Sequence, residues 1–277
     1  LRQLASEVGD EERMAEKPLT SGCFDGGDRQ VTWTGIQIRE GEAFAQFLTK
    51  EVAARVQDAA GVSDFEAHLR GIASTGFQTG SLQALLEAAP YEERAWAVGE
   101  ALAEAHLTRE HGVEWPWNTE RDKRTPLASL PGADLVGLVA DDDGFLLVLG
   151  EVKCSSESKN PPQVMTGRSG MTNQLENLAN DLGLLSTLLR WLFPRCKGTP
   201  HESSFSDAVL RLLDSGNKAI VLFGVLIRDT SPNIQDLEKR GYALARRVHA
   251  PTFCRLKAIY LPCAIEDLSV RIKGGDA

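Results

Sequence analysis

The stretch from Asp134 to Lys153, DLVGLVADDDGFLLVLGEVK, is the part of the sequence that decides the fold. It contains two apolar runs of the kind found in buried strands, separated by three aspartates and a glycine. A polar group that ends in glycine is typical of a tight hairpin turn. We therefore predict two antiparallel strands, over 134–140 and 145–153, joined by a turn at 141–144.

The predicted hairpin brings two carboxylates and a lysine to one end of the sheet. Asp134 begins the first strand and Glu151 lies near the end of the second, so the two fall roughly opposite each other. Lys153 follows two residues later, and residues two apart in a strand project from the same face. The three side chains should therefore share one pocket.

These residue types fit hydrolysis of a phosphodiester bond. The reaction needs a divalent cation held by hard oxygen ligands, an oriented water, and compensation of the charge on the phosphate. Asp134 and Glu151 can supply the ligands, and the ammonium of Lys153 can supply the positive charge. Burial of Glu151 and Lys153 after an apolar run would be costly unless they pair or bind metal.

Two simpler interpretations stay open at this point. Glu-x-Lys triplets are expected by chance in a chain of ordinary composition, and the sequence has a second one, Glu157 to Lys159. That second triplet follows no apolar strand and has no partner aspartate, so we do not place the site there. The first triplet could also be a salt bridge at the surface end of a strand.

Outside the hairpin, the sequence predicts helices and strands in alternation. Residues 1–30 are polar and glycine-containing and predict an irregular lead-in. Residue spacing then predicts, in order, a strand at 31–38, helices at 42–57, 65–72, 82–89, 92–107 and 172–193, a strand at 219–227, a helix at 236–248 and a strand at 256–262. This order predicts an α/β fold with a mixed central sheet flanked by helices. We divide it into a mostly helical N-terminal region, 1–90, packed on a core at 91–277.

The hairpin resembles the core motif of the PD-(D/E)xK nuclease superfamily. The likeness lies in Asp134, Glu151 and Lys153, with a helix before the hairpin and another after it. Ala133 stands where these nucleases usually have a proline. The resemblance implies a restriction-endonuclease-like core and a Mg²⁺ ion, for which Mn²⁺ can substitute, bound by Asp134, Glu151 and the Val152 carbonyl. It also implies that Lys153 orients the attacking water and stabilises charge on the phosphate.

The likeness covers about residues 92 to 227 and implies two further site residues. Glu100 lies on the predicted helix before the hairpin, where relatives often place an acidic residue that completes the metal shell. Gln174 lies at the start of the predicted helix after it, where many relatives keep a glutamine near the catalytic lysine or the phosphate. Each could equally be an ordinary polar residue of a helix.

A narrower likeness is to the HamA-type nucleases of the Hachiman anti-phage defence system. It rests on the residues at 96–105, 132–137, 151–153 and 174–178. This resemblance implies a nuclease effector that a helicase partner restrains until phage DNA is engaged.

The composition is that of a globular protein and bears on how the chain would bind DNA. Of its 277 residues, 42% are hydrophobic and 25% are charged, and the formal net charge is −9. No run of about 18 apolar residues occurs, so we expect no contact with a membrane. Because phosphate contacts usually require a basic surface, we expect binding of DNA to depend on a helicase or other regulatory protein partner.

The spacing of the cysteines predicts their redox state, and two alternatives to a DNA nuclease stay open. Five cysteines without a Cys-x-x-Cys pair predict reduced thiols, a cytoplasmic location and no structural zinc site. The alternative function is a non-catalytic module of the same fold that binds nucleic acid or a partner protein. RNA is not excluded as a substrate.

Overall fold

Strands from both halves of the chain form one sheet. The computed structural model describes residues 19–87, 95–122 and 132–275. Within them, the strands are β1 (Thr20–Asp28), β2 (Val31–Ile38), β3 (Leu135–Asp141), β4 (Gly144–Ser155), β5 (Ile220–Arg228) and β6 (Phe253–Tyr260).

Helices occupy most of the chain between the strands. Within the described ranges, the α-helices are α1 (Glu42–Gln46), α2 (Ala53–Val56), α3 (Ala59–Ile72), α4 (Gly76–Glu87), α5 (Ala95–His111), α6 (Thr119–Asp122), α7 (Met171–Asn180), α8 (Leu182–Cys196), α9 (Glu202–Asp214), α10 (Glu238–Ala245) and α11 (Leu268–Arg271). A π-helical stretch, Phe47–Val52, joins α1 to α2, and 3-10 turns lie at Gln163–Met165, Ile234–Asp236 and Ile265–Asp267. No helix in the described part of the chain is long and apolar enough to cross a membrane.

The sheet is mixed, with a parallel centre and antiparallel edges. Its strand order is β1-β2-β6-β5-β4-β3. The four central strands β2, β6, β5 and β4 run parallel to one another, whereas the edge strands β1 and β3 pair antiparallel with β2 and β4. Every residue of β5 is buried, as expected of a central parallel strand covered on both faces. The predicted α/β fold with a mixed sheet flanked by helices is confirmed.

The hairpin predicted between Asp134 and Lys153 forms in the expected register. The strands β3 and β4 pair from Leu135 with Gly150 to Asp141 with Gly144. Gly144 has a φ of 122°, a backbone conformation that glycine adopts without strain, and it closes the turn. The helix expected at 92–107 is present as α5, although the part of that prediction before residue 95 lies outside the described residues.

The expectation of an irregular lead-in over residues 1–30 is wrong from Thr20 to Asp28, where the chain forms β1. This edge strand is ordered by pairing with β2, with a register shift between Gly22 and Phe24, rather than by its own strand propensity. The N-terminal region has the expected helices in α1–α4. Its β2 pairs with β6, however, so the sheet extends across the boundary drawn at residue 90.

The single long helix expected at 172–193 is wrong, because the chain forms two helices, α7 and α8. Asp181 separates them with φ −91° and ψ 99°. Its Oδ1 accepts hydrogen bonds from the backbone N–H groups of Gly183 and Leu184, at 2.9 and 3.0 Å, and caps α8. An aspartate favours this capping position over a helix interior. The helix α9 was not expected.

Helices cover both faces of the sheet. We call the face that carries Glu151 and Lys153 the front face, and side-chain alternation puts Cys154 on the opposite, back face. Helix α5 crosses the back face, since a Cβ built on Gly99 would lie 2.5 Å from Cys154 Sγ.

Helix α7 covers the front face beside the predicted site. Gly224 is the register partner of Glu151 on β5. A Cβ at Gly224 would lie 2.8 Å from both Leu175 Cδ1 and Met171 Sδ, so the glycine allows α7 to approach the sheet closely. Helix α7 therefore covers the front face of the sheet beside Glu151.

Candidate active site

Asp134, Glu151 and Lys153 meet at the end of the β3–β4 hairpin. Lys153 Nζ lies 3.0 Å from Glu151 Oε2 and 3.8 Å from Asp134 Oδ2. Asp134 immediately precedes β3, and its backbone N–H donates to the Gly150 carbonyl at 3.0 Å. The structure thus brings together the three side chains that strand alternation placed in one pocket.

The burial of this group is uneven. Glu151 is 1% exposed, while the side chains of Lys153 and Asp134 are 20% and 18% exposed. A salt bridge at the surface end of a strand would leave both partners in water, so that simpler interpretation is wrong for Glu151. The partial exposure of Lys153 and Asp134 leaves the pocket accessible to a solute.

The pKa of Glu151 is the main electrostatic feature of the pocket. Burial, the charge of Asp134 and a hydrogen bond between the two carboxyl groups raise this pKa, and the ammonium of Lys153 lowers it. Together these effects place the pKa at about 8. One lysine therefore does not compensate two adjacent carboxylates, and the pocket favours an additional positive charge.

The backbone of β4 also faces the pocket. Asp134 Oδ2 accepts a hydrogen bond from the Val152 N–H at 2.9 Å. Because the N–H and C=O of one strand residue point to the same side, the Val152 carbonyl is directed towards Asp134 as well. This direction is the one expected if the carbonyl is a metal ligand.

A turn at Gly132 places Asp134 in this position. Gly132 has a φ of 90°, which a residue with a side chain adopts only with strain. A Cβ there would also lie 2.3 Å from Leu184 Cδ1 on α8. The sharp turn and the close approach of α8 both require glycine just before β3.

Glu100 lies on α5, next to Gly99, and it is 9% exposed. Helix α5 crosses the back face. The pKa of the Cys154 thiol is raised to about 12, mainly by burial and then by the negative charge of Glu100. In the described ranges, no three His, Cys, Asp or Glu side chains come close enough to hold one metal ion. The role of Glu100 in a metal shell stays a prediction.

Gln174 lies on the first turn of α7, the helix that covers the front face. Its Oε1 is buried and has no hydrogen-bond partner among the residues that the structure describes. The side chain thus forms no hydrogen bond to Lys153 here, and its contact with the lysine or with a phosphate stays a prediction. A buried amide oxygen without a partner would gain from a hydrogen-bond donor on a ligand.

The second Glu-x-Lys triplet has a different position. Glu157 lies in the loop after β4, and its Oε2 accepts a hydrogen bond from the Gln163 N–H at 2.9 Å. The carboxylate therefore closes a loop, and Lys159 makes no ion pair with it in the structure. The choice of the first triplet agrees with this geometry.

Sequence reasoning missed a buried arginine beyond the pocket. Arg228 ends β5 on the front face, is 0% exposed and lies 3.6 Å from Asp236. It donates to the Glu157 carbonyl at 2.6 Å and to Thr230 Oγ1 at 3.1 Å. It thereby fixes the loop after β4 to the end of β5. The signal was available, because a charge that ends a long apolar strand must find partners.

The donor set of the pocket fits a magnesium ion. Mg²⁺ is usually held by one or two carboxylates and keeps several waters. Asp134 and Glu151 provide two carboxylates, and the Val152 carbonyl provides a third oxygen on the same side. The raised pKa of Glu151 reflects repulsion and burial that a bound cation would relieve.

No protein-family model matches the chain, and no curated protein matches it significantly.

Proposed function

We propose that this chain is a Mg²⁺-dependent deoxyribonuclease of the PD-(D/E)xK kind. The observation that carries the proposal is the group formed by Asp134, Glu151 and Lys153, in which two carboxylates and an ammonium share a partly exposed pocket. Resemblance of the motif to that superfamily and the mixed sheet around it agree with this function.

Asp134 and Glu151 would hold the metal, with the Val152 carbonyl as a further ligand. A bound Mg²⁺ would supply a water of lowered pKa and neutralise charge on the phosphate. The hydrogen bond from the Val152 N–H fixes one oxygen of Asp134 and so fixes the direction of the other. Deprotonation of Glu151 would accompany metal binding, because its pKa of about 8 leaves it largely protonated at neutral pH.

Lys153 would act on the reacting groups. Without metal its ammonium donates to Glu151 Oε2 at 3.0 Å. Metal binding to that carboxylate would leave ammonium protons available to the attacking water and to a phosphate oxygen. In the hydrolysis, the attacking water loses a proton to solvent as its oxygen bonds to phosphorus, the bond to one ester oxygen breaks, and that oxygen takes up a proton from solvent as it leaves.

Cleavage of supercoiled plasmid DNA tests this function, and the second triplet provides matched controls. With Mg²⁺ or Mn²⁺, we expect the wild type to cut and Glu151→Gln and Lys153→Met to lose cleavage. The variants Glu157→Gln and Lys159→Met change the same residue types in the loop after β4 and should cut like the wild type. Cleavage that persists in the first pair, or that all four variants lose alike, contradicts the proposal.

We also propose that the nuclease acts in anti-phage defence under the control of a helicase-type partner. The net charge of −9 supports a need for help in binding DNA, and the likeness to HamA-type nucleases points to a helicase. We expect the isolated chain to bind duplex DNA weakly at physiological salt. Binding in the nanomolar range by the isolated chain would remove this reason for invoking a partner.

A further inference from the structure

A second group of polar side chains lies on the back face, away from the candidate active site. It consists of His106 and His111 from α5, Arg255 and Lys257 from β6, and Thr34 from β2. Thr34 is the register partner of Lys257, so the two are neighbours on the same face, about 5 Å apart along the hydrogen-bonding direction. His111 packs its ring against Phe223, with ring centroids 5.2 Å apart. We call these five polar side chains the back-face cluster.

Three buried polar atoms of the back-face cluster lack hydrogen-bond partners among the described residues. Arg255 Nη1 lies 3.0 Å from His111 Nδ1, and since a guanidinium only donates, Nδ1 accepts and Nε2 carries the proton. His111 Nε2, His106 Nε2 and Thr34 Oγ1 are all buried without a partner in the part of the chain that the structure describes. Unpartnered buried polar atoms are rare in folded proteins, and three on the same side of the sheet, around Lys257, indicate that a ligand or ordered solvent completes them.

The charges of the back-face cluster favour an anion over a metal ion. The pKa of His106 is lowered to about 3, mainly by burial and then by the positive charge of Lys257. Burial also lowers the pKa of Lys257, and the charge of Glu110 opposes this effect. Imidazoles can bind metals, but here Lys257 and Arg255 would repel a cation.

We propose that the back-face cluster is a binding site for a phosphate-type oxyanion. Lys257 and Arg255 provide charge, and Thr34, His111 and the imidazole of His106 provide directed hydrogen bonds. A phosphate group accepts such bonds on several oxygens and binds most strongly to charged donors. The ligand is either free phosphate or a phosphate carried by a nucleotide or nucleic acid.

This site is separate from the proposed nuclease centre. Lys257 pairs with Val225, and Val225 pairs with Val152, which projects from the face opposite to Glu151. The inference therefore does not depend on the proposed function. A phosphate bound here would contact β6 and the end of α5, not the pocket of Asp134.

Histidine NMR provides the test, because the chain has only five histidines. Imidazole signals of the full-length protein are recorded during titration with inorganic phosphate, with a nucleoside monophosphate and with a short single-stranded oligonucleotide, at constant ionic strength. We expect the signals of His106 and His111 to shift and those of His68, His201 and His249 to stay. Assignment uses single His→Gln variants.

Matched variants separate a bound anion from general ionic effects. Lys257→Met keeps the aliphatic stem and removes the charge, and Arg255→Gln changes an exposed residue that should not affect folding. Each should weaken the titration about tenfold or more, since each removes a charged donor. Lys239→Met, an exposed lysine on α10, should leave it unchanged.

Each titration result bears on the proposal. Shifts with phosphate support a site for the free anion, and shifts only with the nucleotide or oligonucleotide support a site for a phosphate carried on nucleic acid. If no ligand shifts His106 and His111, or if chloride at equal ionic strength gives the same shifts, the proposal is wrong and the unpartnered atoms are solvated.

Discussion

At the scale of single residues, Glu151 determines the protonation state of the candidate active site. The carboxyl is 1% exposed and adjoins Asp134, so its charged form is disfavoured by both burial and repulsion. Lys153 offsets part of this cost at 3.0 Å. A residue held in such surroundings destabilises the fold when it ionises, and a strongly shifted pKa of this kind is typical of a functional site.

The contribution of Glu151 to stability without metal should therefore fall with rising pH. The folded protein keeps the Glu151 proton up to a pKa of about 8, whereas the unfolded chain loses it near 4.5. Between these values the folded state binds more protons at this residue, so its contribution to the free energy of unfolding decreases as pH rises. Urea unfolding of the wild type and Glu151→Gln at pH 5 and pH 8 isolates this contribution: the stability of the wild type relative to the variant should be lower at pH 8 than at pH 5. The same pH dependence in both proteins would contradict the assigned pKa.

The variant Lys153→Met distinguishes a role of Lys153 in the chemical step from a role in metal binding. Lys153→Met should lower the rate of DNA cleavage by about 100-fold or more, because it removes charge stabilisation at the phosphate. The carboxylates remain, so the Mg²⁺ concentration that gives half the maximal rate should change much less. Rates over a range of Mg²⁺ concentrations check this, with Lys159→Met as the control. A normal maximal rate in Lys153→Met would exclude a catalytic role.

The grouping of Asp134, Glu151 and Lys153 could be predicted from local rules of strand structure, whereas the position of Glu100 could not. Strand alternation and the hairpin turn were sufficient to bring Asp134, Glu151 and Lys153 together. The position of Glu100 depends on which face of the sheet α5 covers, and that choice is made by packing such as Gly99 against Cys154. Packing of this kind leaves no regular pattern in the sequence.

At the scale of elements, Gly224 controls how closely α7 covers the site. A Cβ at this position would lie 2.8 Å from Leu256 Cδ2 as well as from two residues of α7. We expect Gly224→Ala to destabilise the protein by about 1–3 kcal/mol through overpacking. Chemical denaturation measures the change. Gly71→Ala is the control, because a Cβ there meets nothing within 4 Å and alanine favours its helix. Unchanged stability in Gly224→Ala would mean that α7 does not pack as described.

Two elements show where prediction from sequence fails. The apolar spacing of α7 and α8 is continuous enough to predict one helix, and only the capping bonds of Asp181 reveal the break. Strand β1 is rich in glycine and exposed residues and has order because β2 offers it a partner. In both cases a local interaction with a specific partner overrides the average preference of the segment.

At the scale of the whole molecule, the sheet unites the N-terminal region with the core. Strand β2 pairs with β6 over Val31–Gln37, and Trp33 packs against Gly241 of α10. A fragment of residues 91–277 would expose one edge of β6 and the surface that Trp33 covers. We expect this fragment to be insoluble or to unfold without cooperativity, as followed by circular dichroism on heating.

A second deletion provides the comparison for that fragment. Helices α3 and α4 contain no buried residue among those described. Replacement of residues 59–87 by a short glycine–serine linker should therefore retain cooperative unfolding. If the 91–277 fragment unfolds as cooperatively as the full chain, the N-terminal strands are not part of the folding unit.

Binding of Mg²⁺ to the isolated protein tests the candidate centre most directly, since it needs neither DNA nor a partner. We expect titration calorimetry at neutral pH to show binding accompanied by proton release, because Glu151 must give up its proton to become a ligand. Binding should be lost in Glu151→Gln and kept in Glu157→Gln, the matched change in the loop. Absence of binding in the wild type, or binding that Glu151→Gln leaves unchanged, would contradict a metal centre at Asp134 and Glu151.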